Sequence, residues 1–95
     1  MGSIFARLLK RLGASPAGAR GPAQDYNGFR IQAAPLREGS LWLTAGLITK
    51  QIGDETKEHR FIRADTHASR EDAEAFSLTK ARLIIDEQGE RIFEQ

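Results

Sequence analysis

The chain contains no cysteine. That excludes disulfides, thiolate nucleophiles and cysteine-ligated zinc, and it accords with a reducing compartment. No stretch approaches the roughly 20 apolar residues needed to span a bilayer. The N-terminus, Ile4-Phe5-Ala6-Arg7-Leu8-Leu9-Lys10-Arg11-Leu12, is interrupted by charges and so lacks the unbroken apolar run of a signal peptide. The expected location is therefore cytoplasmic. Phosphate-loop chemistry is absent as well: the glycines between Gly13 and Gly21 come without the Walker lysine and serine, and no strand precedes them. No Gly-x-Ser-x-Gly nucleophile elbow occurs. With 95 residues there is room for one domain. A core of that size leaves a domain marginal alone.

Hydrophobic residues make up 40% of the sequence and charged residues 28%, the proportions of a water-soluble globular protein. The net charge of +1 conceals a split. Residues 1–24 carry Arg7, Lys10, Arg11 and Arg20 and no acid, giving +4. Residues 25–95 carry 10 basic and 13 acidic side chains, giving −3. A domain that neutralises many phosphates usually presents a basic face, and this acidic balance leaves room for only a local one.

Patterning divides the chain into an arm (1–12), a linker (13–24) and a single α+β domain (25–95). Ile4, Phe5, Leu8, Leu9 and Leu12 recur at the spacing of one helix face, with Arg7, Lys10 and Arg11 opposite. Ser3 is placed to cap this short amphipathic helix and Gly13 to stop it. The glycine-, alanine- and proline-rich residues 13–24 read as a flexible linker. A first strand is expected over Tyr26–Ala34 and ended by Pro35, with Leu36–Gly39 as a loop. A second runs from Ser40 to Ile52, where Gly46 marks a bulge or a close backbone approach. Gly53-Asp54 fits a two-residue type II′ turn, and a third strand follows over Glu55–Ala64.

That turn sets a register. Ile48 opposes His59, Leu47 opposes Arg60, and Gly46 opposes Phe61. One face then gathers Trp42, Thr44, Ile48, His59 and Phe61. The other gathers Leu43, Ala45, Leu47, Arg60 and Ile62. Ser69-Arg70-Glu71-Asp72 resembles a capping box opening a helix that runs to Gln88 and stops at Gly89. Its apolar residues Ala73, Phe76, Leu78, Ala81, Leu83, Ile84 and Ile85 cover more than half the circumference, wider than a helix on one sheet needs. Ile92 and Phe93 either fold back on the core or prolong the helix. The expected fold is a three-stranded antiparallel meander packed by one long C-terminal helix. Two apolar sheet faces and a wide helix stripe lead us to expect a homodimer.

No constellation points to catalysis. His59, Asp65 and His67 are too few and too scattered for the tetrahedral shell of zinc, and Glu71-Asp72 belongs to a first helical turn, where acids complement the dipole. Neither a cofactor nor a small-molecule substrate is implied. The densest cluster is His59-Arg60-Phe61-Ile62-Arg63, in which His59, Arg60 and Arg63 are candidate contacts for nucleic acid or a protein partner. A helix entering the major groove at Ser69 would bring Glu71, Asp72 and Glu74 towards phosphates, which argues against a simple recognition helix. In the arm, Phe5, Arg7, Leu8, Lys10 and Arg11 are candidates for an anionic membrane surface, contacted through residues 3–12, or for an apolar groove on a partner.

Several segments resemble the HlyU family of small bacterial transcriptional activators of haemolysin expression. They are Tyr26-Asn27-Gly28-Phe29-Arg30-Ile31, Pro35 with Glu38-Gly39, Ala45-Gly46-Leu47-Ile48, Lys57-Glu58-His59-Arg60-Phe61-Ile62-Arg63-Ala64-Asp65, Ser69-Arg70-Glu71-Asp72-Ala73 and Ile85-Asp86-Glu87-Gln88-Gly89. The likeness covers about three quarters of the chain, and the His-Arg-Phe-Ile-Arg-Ala-Asp run is its most specific part. One departure is Gly53-Asp54, where Asp-Gly would be usual. The resemblance implies a transcriptional regulator and brings no catalytic or ligand-binding residues with it. A non-enzymatic interaction module is the alternative reading.

Overall fold

The structure is a computed structural model that describes residues 21–94. The expected helical arm, residues 3–12, lies outside the described residues. The elements are β1 (Gln24–Tyr26), β2 (Phe29–Ala33), β3 (Leu36–Glu38), β4 (Leu41–Ile52), β5 (Glu55–His67), helix α1 (Arg70–Gln88) and a closing 3-10 turn (Gly89–Glu94). The fold is α+β, as expected. The described strands number five rather than three, all antiparallel, in the order β1-β2-β4-β3 with β5 along the other side of β4.

Both additional strands come from misjudged punctuation. Asn27 and Gly28 both have positive φ, 51° and 85°, which a type I′ turn requires. They therefore sit inside a hairpin and return Gln24–Tyr26 along β2. Pro35 was expected to end the first strand. Instead the ladder resumes in the same register, Ala33 opposite Gly46 before it and Leu36 opposite Leu43 after it. Ala34 donates its N–H to Ala45 O, so the next position points away from β4. Proline's missing donor falls on the side away from β4, where no described strand pairs, so it costs no ladder bond.

The register expected for the long hairpin is observed: Ile48 faces His59, Leu47 faces Arg60 and Gly46 faces Phe61. Gly53 has φ 61° and Asp54 does not have a positive φ, in keeping with type II′. β5 runs three residues past the expected end at Ala64, because the ladder is interrupted and then restored. Between the pairs Ala45–Ile62 and Leu43–Thr66, β4 advances two residues while β5 advances four. The bulge preserves the face on which each strand presents its side chains, since the excess is even.

The helix begins and ends where expected. Ser69 Oγ accepts the Asp72 N–H at 3.1 Å, and the Gly89 N–H caps Ile85 O. Its buried stripe is narrower than the apolar count implied: Ala73, Ser77, Ala81, Ile84 and Ile85 face the sheet. Phe76 and Leu83 are exposed at 36% and 46%. A serine, Ser77, and not Phe76, is among the fully buried residues of this stripe. Phe29, Ile31, Ile48 and Phe61 from the sheet pack with Ala81, Ile84, Ile85 and Ile92. The 3-10 turn folds back, burying Ile92 and stacking Phe93 on Phe29 at 6.0 Å.

Ser77 holds the helix to the sheet by a polar link. Its hydroxyl donates to Ala73 O at 2.6 Å and accepts the Ala45 N–H at 3.1 Å. Ala45 flanks the bulge, and its amide is satisfied from the helix. Ser77→Ala leaves that buried donor unpaired, at a cost of about 1–3 kcal/mol. Denaturant unfolding should show a lower midpoint at an unchanged m-value; an unchanged midpoint would show that the link contributes nothing.

Candidate functional site

The bulge decides which side chains meet at the end of the sheet nearest the helix start. It brings His67, not Asp65, opposite Trp42, and Trp42 in turn lies opposite Arg37. Arg37, Trp42 and His67 therefore form one rung across β3, β4 and β5, on the face that carries the helix. The Arg37 guanidinium lies 5.2 Å from the Trp42 ring centre, and that of Arg70, in the first turn of α1, lies 5.4 Å from it. Both distances fall in the range of cation–π attraction. Thr44 is fully buried, and its hydroxyl meets His67 Nε2 at 2.9 Å. The His67 ring packs against Phe76 at 5.1 Å, and Lys80 Nζ lies 5.5 Å from the Phe76 ring.

The result is a continuous row of cations and aromatic rings: Arg37, Trp42, Arg70, His67, Phe76, Lys80. Trp42, His67, Arg70 and Lys80 are partly buried, while Arg37 and Phe76 are exposed. Flat rings flanked by cations offer two things at once, π faces for stacking and positive charge for phosphate. The local charge is tempered by Glu74, which pairs with Arg70 at 3.2 Å.

Of the strand residues singled out from sequence, the structure brings His59 and Arg63 to one face and sends Arg60 to the other. His59 and Arg63 share the helix-bearing face with Phe61, and the Arg63 guanidinium lies 5.9 Å from that ring. Arg60 points to the opposite face, beside Leu47 across the ladder. Its guanidinium is 3.5 Å from Glu58, and its Nε is buried with no acceptor among the described residues. His59, Arg60 and Arg63 therefore cannot touch one ligand together. Strand alternation alone dictates this, since residues 59 and 60 must point oppositely.

Burial, and secondarily the charge of Arg63, pushes the His59 imidazole below its ordinary pKa of 6.5. The unfolded chain takes up a proton here more readily than the folded one. Stability from this group is thus complete above pH 6.5 and is lost as pH falls through the lower folded value. His59→Gln should flatten that part of the stability profile in urea melts run between pH 7.5 and 5. An unchanged slope would assign the acid sensitivity elsewhere.

Among the described residues, no group of three or more His, Asp or Glu side chains is arranged to hold a metal. No helix among them is long and apolar enough to cross a membrane. The exposed ends of the arginine and lysine side chains in the row, and the rings between them, present a surface and not a cleft.

An antiparallel sheet backed by one helix, with a cation–aromatic row across its end, defines a small α+β domain. The family model described as transcriptional activator HlyU matches residues 3–93. The chain belongs to the HlyU family. No curated protein and no solved structure matches it.

Proposed function

We propose that the protein regulates transcription without catalysis, by contacting nucleic acid through the row Arg37-Trp42-Arg70-His67-Phe76-Lys80. The family relationship supports the regulatory role. The observation that carries the contact surface is the rung Arg37–Trp42–His67, extended by Arg70, Phe76 and Lys80 from the helix. Contact is made by the outside of the helix start and the sheet end together. A recognition helix laid in the groove would present Glu71 and Asp72, both exposed, to the phosphates.

Salt dependence and alanine variants test this reading. Binding through three cations gives a slope of log K against log salt of about −2.7, and each cation removed lowers its magnitude by about 0.9. Lys80→Ala and Arg37→Ala should each show that reduction. Arg60→Ala, on the other face, should leave the slope unchanged. Equal effects from Arg60 and Lys80 would move the interface away from the row.

The second reading is an interaction module for a protein partner. Phe76 and Leu83, seven residues apart on the helix, are large apolar side chains at 36% and 46% exposure. A partner docked there would lose affinity with Leu83→Glu, a change that leaves the cations and Trp42 in place. Self-association, the third expectation from the sequence, would use the sheet face opposite the helix.

A further inference from the structure

We infer that the face of the sheet opposite the helix is the seat of the chain's own N-terminal segment, with residues 3–12 docked on it in cis as an amphipathic helix. This inference is independent of the nucleic-acid reading, which concerns the opposite face.

The face is apolar, and no described element covers it. Ala34, Leu36 and Ala45 form a second hydrophobic cluster with Leu43 and Ile62. Leu47 alternates onto the same side. Helix α1 and the 3-10 turn both pack on the other side, with Phe61, Ile48 and Ile31. A sheet with apolar residues on both faces requires a second layer. Ala34, Leu36, Ala45 and Leu47 are all buried, and buried apolar side chains on this face call for such a layer.

The chain leaves the described structure at the border of this face. Gly21 donates its N–H to Ala33 O at 2.9 Å. Gln32, whose side chain points to this face beside Leu47, donates from Nε2 to Gly21 O at 2.8 Å. From that anchor, residues 13–20 can span up to about 25–30 Å. The face from β2 to β5 is only two strand spacings wide, roughly 10 Å, and ten helical residues are about 15 Å long. Reach and size both fit.

The chemistry fits as well. Ile4, Phe5, Leu8, Leu9 and Leu12 supply an apolar stripe, and Arg7, Lys10 and Arg11 the outer side. Glu38 and Glu58, both exposed, lie at the rim of the face, and residues 25–95 carry a net −3 against +4 for residues 1–24. Arg60 Nε, buried on this face without an acceptor among the described residues, needs an oxygen. The segment contains no acid, but the last turn of a helix leaves four carbonyls unpaired. A docked arm is also withheld from other surfaces, so membrane or partner contact by Phe5, Leu8 and Arg11 would require its release.

The absence of cysteine makes a direct test simple. Arg11→Cys in the full chain, labelled with a nitroxide, should broaden the amide signals of Leu43, Ala45 and Ile62, while Ala81 and Ile84 on the far side keep theirs. Adding Leu8→Glu should restore the broadened signals, because it places a charge on the docking stripe and leaves the domain untouched. A mixture of isotope-labelled chain without nitroxide and unlabelled chain with it should show no broadening. Broadening in the mixture would mean that a second copy occupies the face, and no broadening in either sample would mean that the arm does not. Either result overturns the inference.

Discussion

Phe61→Ala will lower the unfolding free energy by about 3–5 kcal/mol, the usual cost of emptying a buried phenylalanine site. Phe61 is 2% exposed and is the largest fully buried side chain among the described residues. It stands at the middle of β5, opposite Gly46, and packs with Ile31, Ile48, Ala81, Ile84, Ile85 and Ile92. Sheet, helix and 3-10 turn all contribute to the cluster that holds this ring. A domain of this size has a total stability of roughly 4–11 kcal/mol, so the loss removes a large share of it. Thermal unfolding followed by circular dichroism should show a midpoint lower by well over 10 °C. A drop of only a few degrees would mean that the site collapses around the gap and that the ring is not the keystone.

Gly46→Ala will cost nearly as much, about 3 kcal/mol, for the opposite reason: too much matter and not too little. A β-carbon on Gly46 would lie 2.6 Å from Phe61 Cζ and 2.8 Å from Gln32 O. The glycine does not have a positive φ, so conformational freedom is not its role. Space is its role: the Phe61 ring lies across the strand where a side chain would otherwise stand. The two sites therefore couple. In the Phe61→Ala background the ring contact is gone, and Gly46→Ala should cost less than in the native chain, with a residue of strain from the Gln32 carbonyl, which is backbone and cannot swing aside. A double-mutant cycle reads this coupling directly. Strict additivity would show that the glycine is required for some reason other than the ring.

Much of this fold was legible in the sequence. Gly53-Asp54 set the register of the long hairpin, and from it the pairing of Gly46 with Phe61 followed. Ser69 and Gly89 marked the helix ends because each answers a specific shortage of partners at a helix terminus. The strand count failed where local rules met tertiary context. Pro35 breaks a ladder only if its missing N–H faces a neighbouring strand, and it points away from β4, its partner among the described residues. Asn27-Gly28 falls inside the expected strand Tyr26–Ala34, and its two positive φ values place a hairpin between strands there instead. Ser77 was invisible as a core residue because its burial depends on an amide left over by a bulge in another strand.

The site was less legible for the same reason. Extending the hairpin register without interruption pairs Trp42 with Asp65, and no cation–aromatic row results. Two extra residues in β5 replace that aspartate with His67. The signal that could have found it was composition: Ala64-Asp65-Thr66 includes poor strand formers in the middle of a ladder that nonetheless continues. Arg37 was lost with β3, and Arg70 was read only as part of a helix cap. The cluster His59, Arg60 and Arg63 looked dense along the chain, but a strand distributes neighbours to opposite faces.

If nucleic acid meets the protein at the row around Trp42, the ring of that residue must sense it. The chain has one tryptophan, so its fluorescence reports that surface alone. Duplex DNA enriched from genomic fragments by the full-length protein should change the Trp42 emission on titration. The same titration should give a midpoint that moves to higher DNA concentration with salt and with Lys80→Ala. DNA that binds while the Trp42 emission stays constant, or binding that Lys80→Ala leaves intact at every salt concentration, would contradict the account.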